Sequence, residues 1–253
     1  MAQTHVNAQA IRVVDLVKHF EDVTAVDGLS FDVEVGEIFG FLGPNGAGKS
    51  TTINILSGLL EPTSGKAIVL GFDVGRESMK IKERIGVCPQ EPSFFPYLSG
   101  RENVALIADL HLMPKKERRE RTDALLDLMG LGEAASRRVG KFSGGMVRRT
   151  SLAMALVHEP ELAFLDEPTV GMDPQSRRAT WDLIRSLKER GRTVILTTHY
   201  IEEAEALADR VGIIDHGKLI ALDTPRALME EHGAGNLEEV FIKLTGRRIR
   251  EEV

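Results

Sequence analysis

Short, wholly apolar runs recur along this chain, and stretches of helical periodicity separate them. Ile38-Phe-Gly-Phe-Leu42, Ala67-Ile-Val-Leu70, Leu162-Ala-Phe-Leu165, Thr193-Val-Ile-Leu-Thr197 and Val211-Gly-Ile-Ile214 do not alternate polar with apolar, which is the pattern of strands buried on both faces. Ser50–Leu59, Pro174–Arg190 and Ile201–Leu207 read as helices between them. Such alternation predicts an α/β sheet of parallel character with helices on both faces. From about Glu91 to His158 the texture changes to Leu, Arg and Glu at helical spacing, as in Lys115–Met129, and predicts a helical insertion. Near the end, Leu237, Val240, Phe241 and Leu244 fall at i, i+3, i+4 and i+7, the apolar stripe of one more helix. The first ten residues read as a polar lead-in, and no repeat or long linker divides the rest.

Composition narrows the partners. A chain of 253 residues with 42% hydrophobic content is long enough for one substantial core. With a formal net charge of -6 there is no electrostatic reason to expect nucleic acid or anionic lipid. The single cysteine, Cys88 in the run Ile85-Gly-Val-Cys88, excludes an internal disulfide and reads as a buried strand residue. No run approaches the roughly 18 residues that span a bilayer, and the polar N-terminus lacks a secretory pattern. The expectation is an intracellular protein that meets a membrane only through a separate chain. The mixed-charge run Lys115–Arg121 reads as a solvated helix face.

Chemistry concentrates at the ends of the apolar runs. Gly43, Gly48, Lys49 and Ser50 satisfy the phosphate-loop spacing G-x-x-x-x-G-K-S, and the match follows a strand and opens a helix as the motif requires. Backbone N–H groups, the helix N-terminus and Lys49 then face phosphate oxygens, and the Ser50 hydroxyl suits Mg²⁺. The run Leu162–Leu165 ends in Asp166 and Glu167. An acidic pair at a strand end is commonly structural, but beside a phosphate loop it supplies a metal ligand in Asp166 and a water-polarising base in Glu167. His199 ends another strand, where α/β sheets gather ligand sites, although a lone histidine there is also an ordinary cap. The other histidines keep that plainer reading. Gln90 follows Cys88 closely enough to bring its amide to a metal. Ser143-Gly-Gly145 opens a helix running to Leu156, and is either a plain cap or a second anion site.

With these pieces in order the sequence resembles the ATP-binding-cassette (ABC) transporter ATPases from about Val13 onward. The resemblance rests on Gly43–Ser50, Gln90, Phe142-Ser-Gly-Gly145, Asp166-Glu167, Gly171-Met-Asp-Pro174 and His199. It implies a P-loop NTPase (RecA-like) core of mostly parallel sheet, with an antiparallel β subdomain and an inserted α-helical subdomain. The implied single domain spans 11–246: core and β subdomain at 11–90 and 159–223, helical subdomain at about 91–158, and a C-terminal extension at 224–253. It also implies that ATP and Mg²⁺ are bound, with Gly43, Pro44, Asn45, Gly46, Ala47, Gly48, Lys49, Ser50 and Thr51 around the phosphates. Ser50, Gln90 and Asp166 serve the metal, Glu167 is the base, Lys49 assists, and His199 senses the γ-phosphate. Two such chains meet head to tail, so that Ser143, Gly144 and Gly145 serve the partner's nucleotide and Asp173 joins the two sites. Phe20, with Val26 nearby, stands where the family places an aromatic under adenine, although a core Phe fits equally. Met146 replaces the usual glutamine after Ser-Gly-Gly.

Ala25-Val-Asp-Gly-Leu-Ser-Phe31, Gly36-Glu-Ile-Phe-Gly40 and Leu237-Glu-Glu-Val-Phe-Ile-Lys-Leu-Thr-Gly246 look like the ATPase subunits of two-component exporters of the daunorubicin or sodium-extrusion type. That implies a polytopic membrane permease docking near Gln90–Gly100, and a place on the cytoplasmic face of the cell membrane. An importer ATPase uses the same site. Non-transport members carry long coiled coils or tandem cassettes that are absent here, and a GTPase would need an Asn-Lys-x-Asp motif.

Overall fold

The computed structural model describes residues 9–246. Strands β1 (Gln9–Phe20) and β2 (Val23–Glu34) form a long hairpin, followed by β3 (Ile38–Leu42), α1 (Lys49–Leu56), β4 (Ser64–Val69), β5 (Phe72–Asp73), α2 (Ser78–Lys82) and β6 (Ile85–Cys88). Next come α3 (Gly100–Leu110), α4 (Lys115–Leu128), a 3-10 turn at Val139–Lys141, and α5 (Gly144–Leu156). The chain then alternates through β7 (Leu162–Asp166), α6 (Pro174–Glu189), β8 (Thr193–Thr198), α7 (Ile201–Leu207) and β9 (Arg210–Asp215). It closes with β10 (Lys218–Asp223), α8 (Pro225–Glu231) and α9 (Leu237–Thr245).

Two sheets result. The six-stranded sheet has the order β10-β9-β3-β8-β7-β6, parallel except for β10 at its edge, and the four-stranded sheet β2-β1-β4-β5 is antiparallel. Strands β3, β7 and β8 are buried at every position, which is why their sequences do not alternate. Between the sheets Phe31, Phe39 and Phe41 pack with ring centroids 5.0 to 5.5 Å apart, pairs worth about 0.5–1.5 kcal/mol each beyond their burial. On the opposite face, Leu165, Val194 and Leu196 pack against Leu152 of α5 and Ile184 of α6.

Two expectations are corrected. Gln9 and Ala10 are not lead-in but the start of β1, with Gln9 paired to Glu34 and Ala10 buried. Ala67–Leu70 is not part of the parallel sheet: β4 pairs antiparallel with β1 and β5, a choice of partner that an apolar run cannot encode. β10, with its half-exposed burial pattern, escaped notice for want of an apolar run. The extension expected at 224–253 lies partly outside the described residues.

Candidate active site at the carboxyl edge of the parallel sheet

Strands β3, β8, β7 and β6 are neighbours, so the segments leaving their carboxyl ends meet on one edge. The loop after β3 wraps into α1, whose first-turn N–H groups have no intrahelical acceptor. Gly48 sits at φ 101°, and a Cβ there would lie 2.3 Å from the carbonyl oxygen of Ala25, so no other residue fits. Lys49 is buried and donates to the carbonyls of Gly43 at 2.7 Å and Pro44 at 3.1 Å. Burial pulls its amine below the usual lysine range, against the carboxylates of Glu167 and Asp166 that hold it up.

At the end of β7, the Asp166 carboxylate accepts the hydroxyl of Thr197 on β8. Glu167 takes a left-handed backbone, φ 52°, and its N–H donates to the carbonyl and hydroxyl oxygens of Thr197, at 3.0 and 3.1 Å. The turn points its side chain at the phosphate loop: Oε1 lies 4.0 Å from Lys49 Nζ and 3.1 Å from Nδ1 of His199, off the line of an ideal hydrogen bond. Burial alone would raise this carboxylate, but the His199 ring and the charges of His199, Lys49 and Arg148 outweigh it and leave the group below the usual glutamate range.

A cleft of about 460 Å³ opens over the loop, walled by Asn45 to Thr51, Gln90, Glu167, Phe20 and the backbone turn at Val23 to Ala25. Ser50 Oγ and Gln90 Oε1 lie 3.5 Å apart, two neutral oxygen donors of the kind hard divalent cations take. An elongated polyanion fits here: its charge meets Lys49 and the helix N-terminus, and its far end meets an exposed aromatic ring.

The sequence pattern of the ABC transporter family matches residues 26–170. The chain belongs to that family. It is similar to the linearmycin resistance ATP-binding protein of Bacillus subtilis, 43% identical over 95% of this chain and 76% of that protein. The daunorubicin/doxorubicin resistance ATP-binding protein of Streptomyces peucetius is 45% identical over 90% of this chain and 69% of its own length. Among solved structures, an ATP-binding subunit of an ABC transporter superposes with a TM-score of 0.87 at 28% identity, covering 93% of this chain and 99% of that one. A dimeric ATP-binding cassette in a post-hydrolysis state with ADP and phosphate gives 0.79 at 27%, over 85% and 98%. The chain is therefore an ABC ATPase, binding and hydrolysing ATP, with the P-loop NTPase fold.

In this ABC ATPase the expected site residues divide into three groups. Asn45 to Thr51, Gln90, Glu167 and Phe20 line the cleft, with Gly43 and Pro44 behind it as acceptors for Lys49, and Asp166 and His199 border Glu167. Phe20 is 43% exposed with Lys18 Nζ 5.0 Å from its ring centroid, so the core alternative for this ring is excluded. Val26 is corrected: it is fully buried among Ile11, Leu29 and Phe41, because the irregularity at Gly28, φ 72°, puts it on the same face of β2 as Leu29, and Val23, Thr24 and Ala25 form the wall instead. Ser143, Gly144, Gly145 and Asp173 do not line the cleft. Ser143 caps α5, accepting the Met146 N–H at 3.4 Å, and a Cβ on Gly144 would meet nothing within 4 Å. Asp173 caps α6 through Ser176.

Two supporting residues belong to no motif. Thr197 braces both acids, and Glu203, buried on α7, accepts from Thr169 at 2.9 Å and Trp181 at 3.0 Å, which ties the segments after β7 and β8 together. Burial raises the Glu203 carboxyl above its usual range against those hydrogen bonds. A glutamate in a helix reads as surface, so only the buried face of α7 would have given it away.

Proposed function

We propose that this ABC ATPase powers export through a separate polytopic membrane permease, working as a head-to-tail dimer on the cytoplasmic face of the membrane with one ATP at each interface. Residues 11–246 act as one ATPase domain. Lys49 and the N–H groups of Gly46 to Thr51 bind the phosphates, and Phe20 stacks on the base. Ser50, Gln90 and Asp166 hold Mg²⁺, which neutralises phosphate charge when bound. Glu167 takes a proton from the attacking water as its oxygen bonds the γ-phosphorus and the bond to ADP breaks. His199 orients Glu167 and reads the γ-phosphate. Ser143, Gly144 and Gly145 complete the partner's site, and Asp173 links the two.

The observation that carries this reading is the meeting of Lys49, Glu167 and His199 within 4.0 Å of one carboxylate oxygen, at the edge of a cleft that the Ser143 turn does not enter. Export is supported by the relatives, which include a Nod factor export ATP-binding protein from a Rhizobium species, 44% identical over 92% of this chain and 76% of its own. Docking is supported by the segment 91–98, where Phe95 and Tyr97 are exposed while buried Asn103 holds its backbone through the carbonyls of Phe95, Leu98 and Ser99.

The test is Glu167→Gln. ATP binding should persist, hydrolysis should fall about 10²- to 10⁴-fold, and a nucleotide-bound dimer should accumulate on size exclusion. Hydrolysis near the wild-type rate would remove Glu167 as the base.

A further inference from the structure

We propose that Arg148 is a positioning residue for hydrolysis. Its guanidinium holds the Gln90 loop and the Asp166–Glu167 strand end in one arrangement, and ties both to the helix that opens at Ser143.

Arg148 lies on α5 and is 3% exposed. One terminal nitrogen, Nη1, donates to the carbonyls of Pro89 and, at 3.0 Å, Gln90. The other, Nη2, donates to the carbonyls of Asp166 and, at 2.8 Å, Glu167. Each pair brackets a residue the cleft depends on. The carbonyls of Pro89, Gln90 and Glu167 lie just beyond the ends of β6 and β7, and that of Asp166 is the last of β7, so Arg148 supplies donors where the ladder gives out. Only arginine has two donor groups in a rigid fork able to serve both segments at once; a lysine ammonium is a single point.

Packing alone does not account for the choice. Among the buried residues of α5, which include Leu152, Ala153 and Leu156 and the hydroxyls of Thr150 and Ser151, Arg148 is the one that carries a charge, and a buried guanidinium is costly unless its hydrogen bonds are made. Arg148 Nε is in fact buried with no partner among the described residues, so the side chain is aimed by its two terminal groups. What those groups secure includes Glu167, held at φ 52°, a backbone region that non-glycine residues keep only when their surroundings impose it.

The helix also gives the contact a direction. Ser143 caps α5, and Arg148 follows about 7 Å along the same rigid rod. A push on the Ser143 turn therefore reaches the carbonyls beside Gln90 and Glu167 of the same chain through one side chain. This coupling rests on the trans role proposed for Ser143; the positioning role does not.

The experiment compares Arg148→Lys and Arg148→Gln in the full chain, reading kcat per nucleotide-binding site, KM for ATP and thermal unfolding. Because the phosphate loop is untouched, KM should stay within about threefold, while kcat falls about 10- to 100-fold in R148K despite the retained charge. R148Q, whose amide can still serve one segment, should fall between R148K and wild type. A kcat per binding site within about twofold of wild type in folded R148K would overturn the proposal, as would a loss wholly accounted for by unfolded protein. Ser143→Arg in the E167Q background separates the two readings. If the ATP-trapped dimer still forms there, the trans turn is refuted while the R148K and R148Q kinetics still decide the positioning role.

Discussion

Lys49 and Glu167 face each other across the cleft with opposed tendencies. Burial lowers the amine, while Glu167 resists burial because His199, Lys49 and Arg148 favour its charged form. Replacing Lys49 with alanine removes the charged donor to the phosphates. ATP should then bind about 10- to 100-fold more weakly, a loss of roughly 1.5–3 kcal/mol, in a fluorescent-nucleotide titration. Unchanged affinity would overturn the loop assignment. The Glu167 shift has a defined sign: a base must be deprotonated, so the acid limb of the kcat/KM profile, which reports the free enzyme, should lie below the ordinary glutamate value of 4.5. His199→Ala removes a group that favours the carboxylate, so it should move that limb to higher pH as well as lower kcat. A limb that stays put or moves the other way would separate His199 from Glu167.

The join between the helical insertion and the sheet carries its own titration. His158, just beyond α5, bonds the carbonyl of Ile85 on β6 at 3.0 Å and stacks on His111 of the α3 end at 3.7 Å. Burial first, then the charges of His111 and Arg121, lower its pKa from 6.5 to about 4. Protonation thus favours the unfolded chain. The stability tied to the neutral ring is complete above pH 6.5 and is lost as pH falls toward about 4, roughly 3 kcal/mol. Chemical denaturation at pH 7 and 4.5 should show that decline, and His158→Gln should flatten it. An identical decline in the variant would place the acid sensitivity elsewhere.

At this scale the chain is unevenly legible. β3 and α7 match the sequence expectation residue for residue, because a continuous apolar run or clean helical periodicity leaves one arrangement open. α1 stops at Leu56 rather than Leu59. β4 is legible as a strand, but its apolar run does not say which sheet it joins, since pairing is a long-range choice. The phosphate loop and the acids after β7 were legible as motifs. Arg148, Thr197 and Glu203 were not, because their roles depend on groups contributed by segments distant in sequence.

For the whole molecule, the decisive feature is a division of labour. Phosphate loop, Gln90, Glu167 and His199 gather around one cleft, whereas Ser143 to Gly145 stand outside it with open space at Gly144. If two chains share each site, a chain carrying Lys49→Ala and a chain carrying Ser143→Arg can rescue one another. Each alone spoils both sites of its own dimer. In a mixed dimer one site collects both defects and the other is intact. The measurement is ATP hydrolysis by the two inactive variants, separately and after equal mixing. Head-to-tail pairing predicts recovery of up to about a quarter of the wild-type rate on mixing; a mixture as inactive as its components would contradict it.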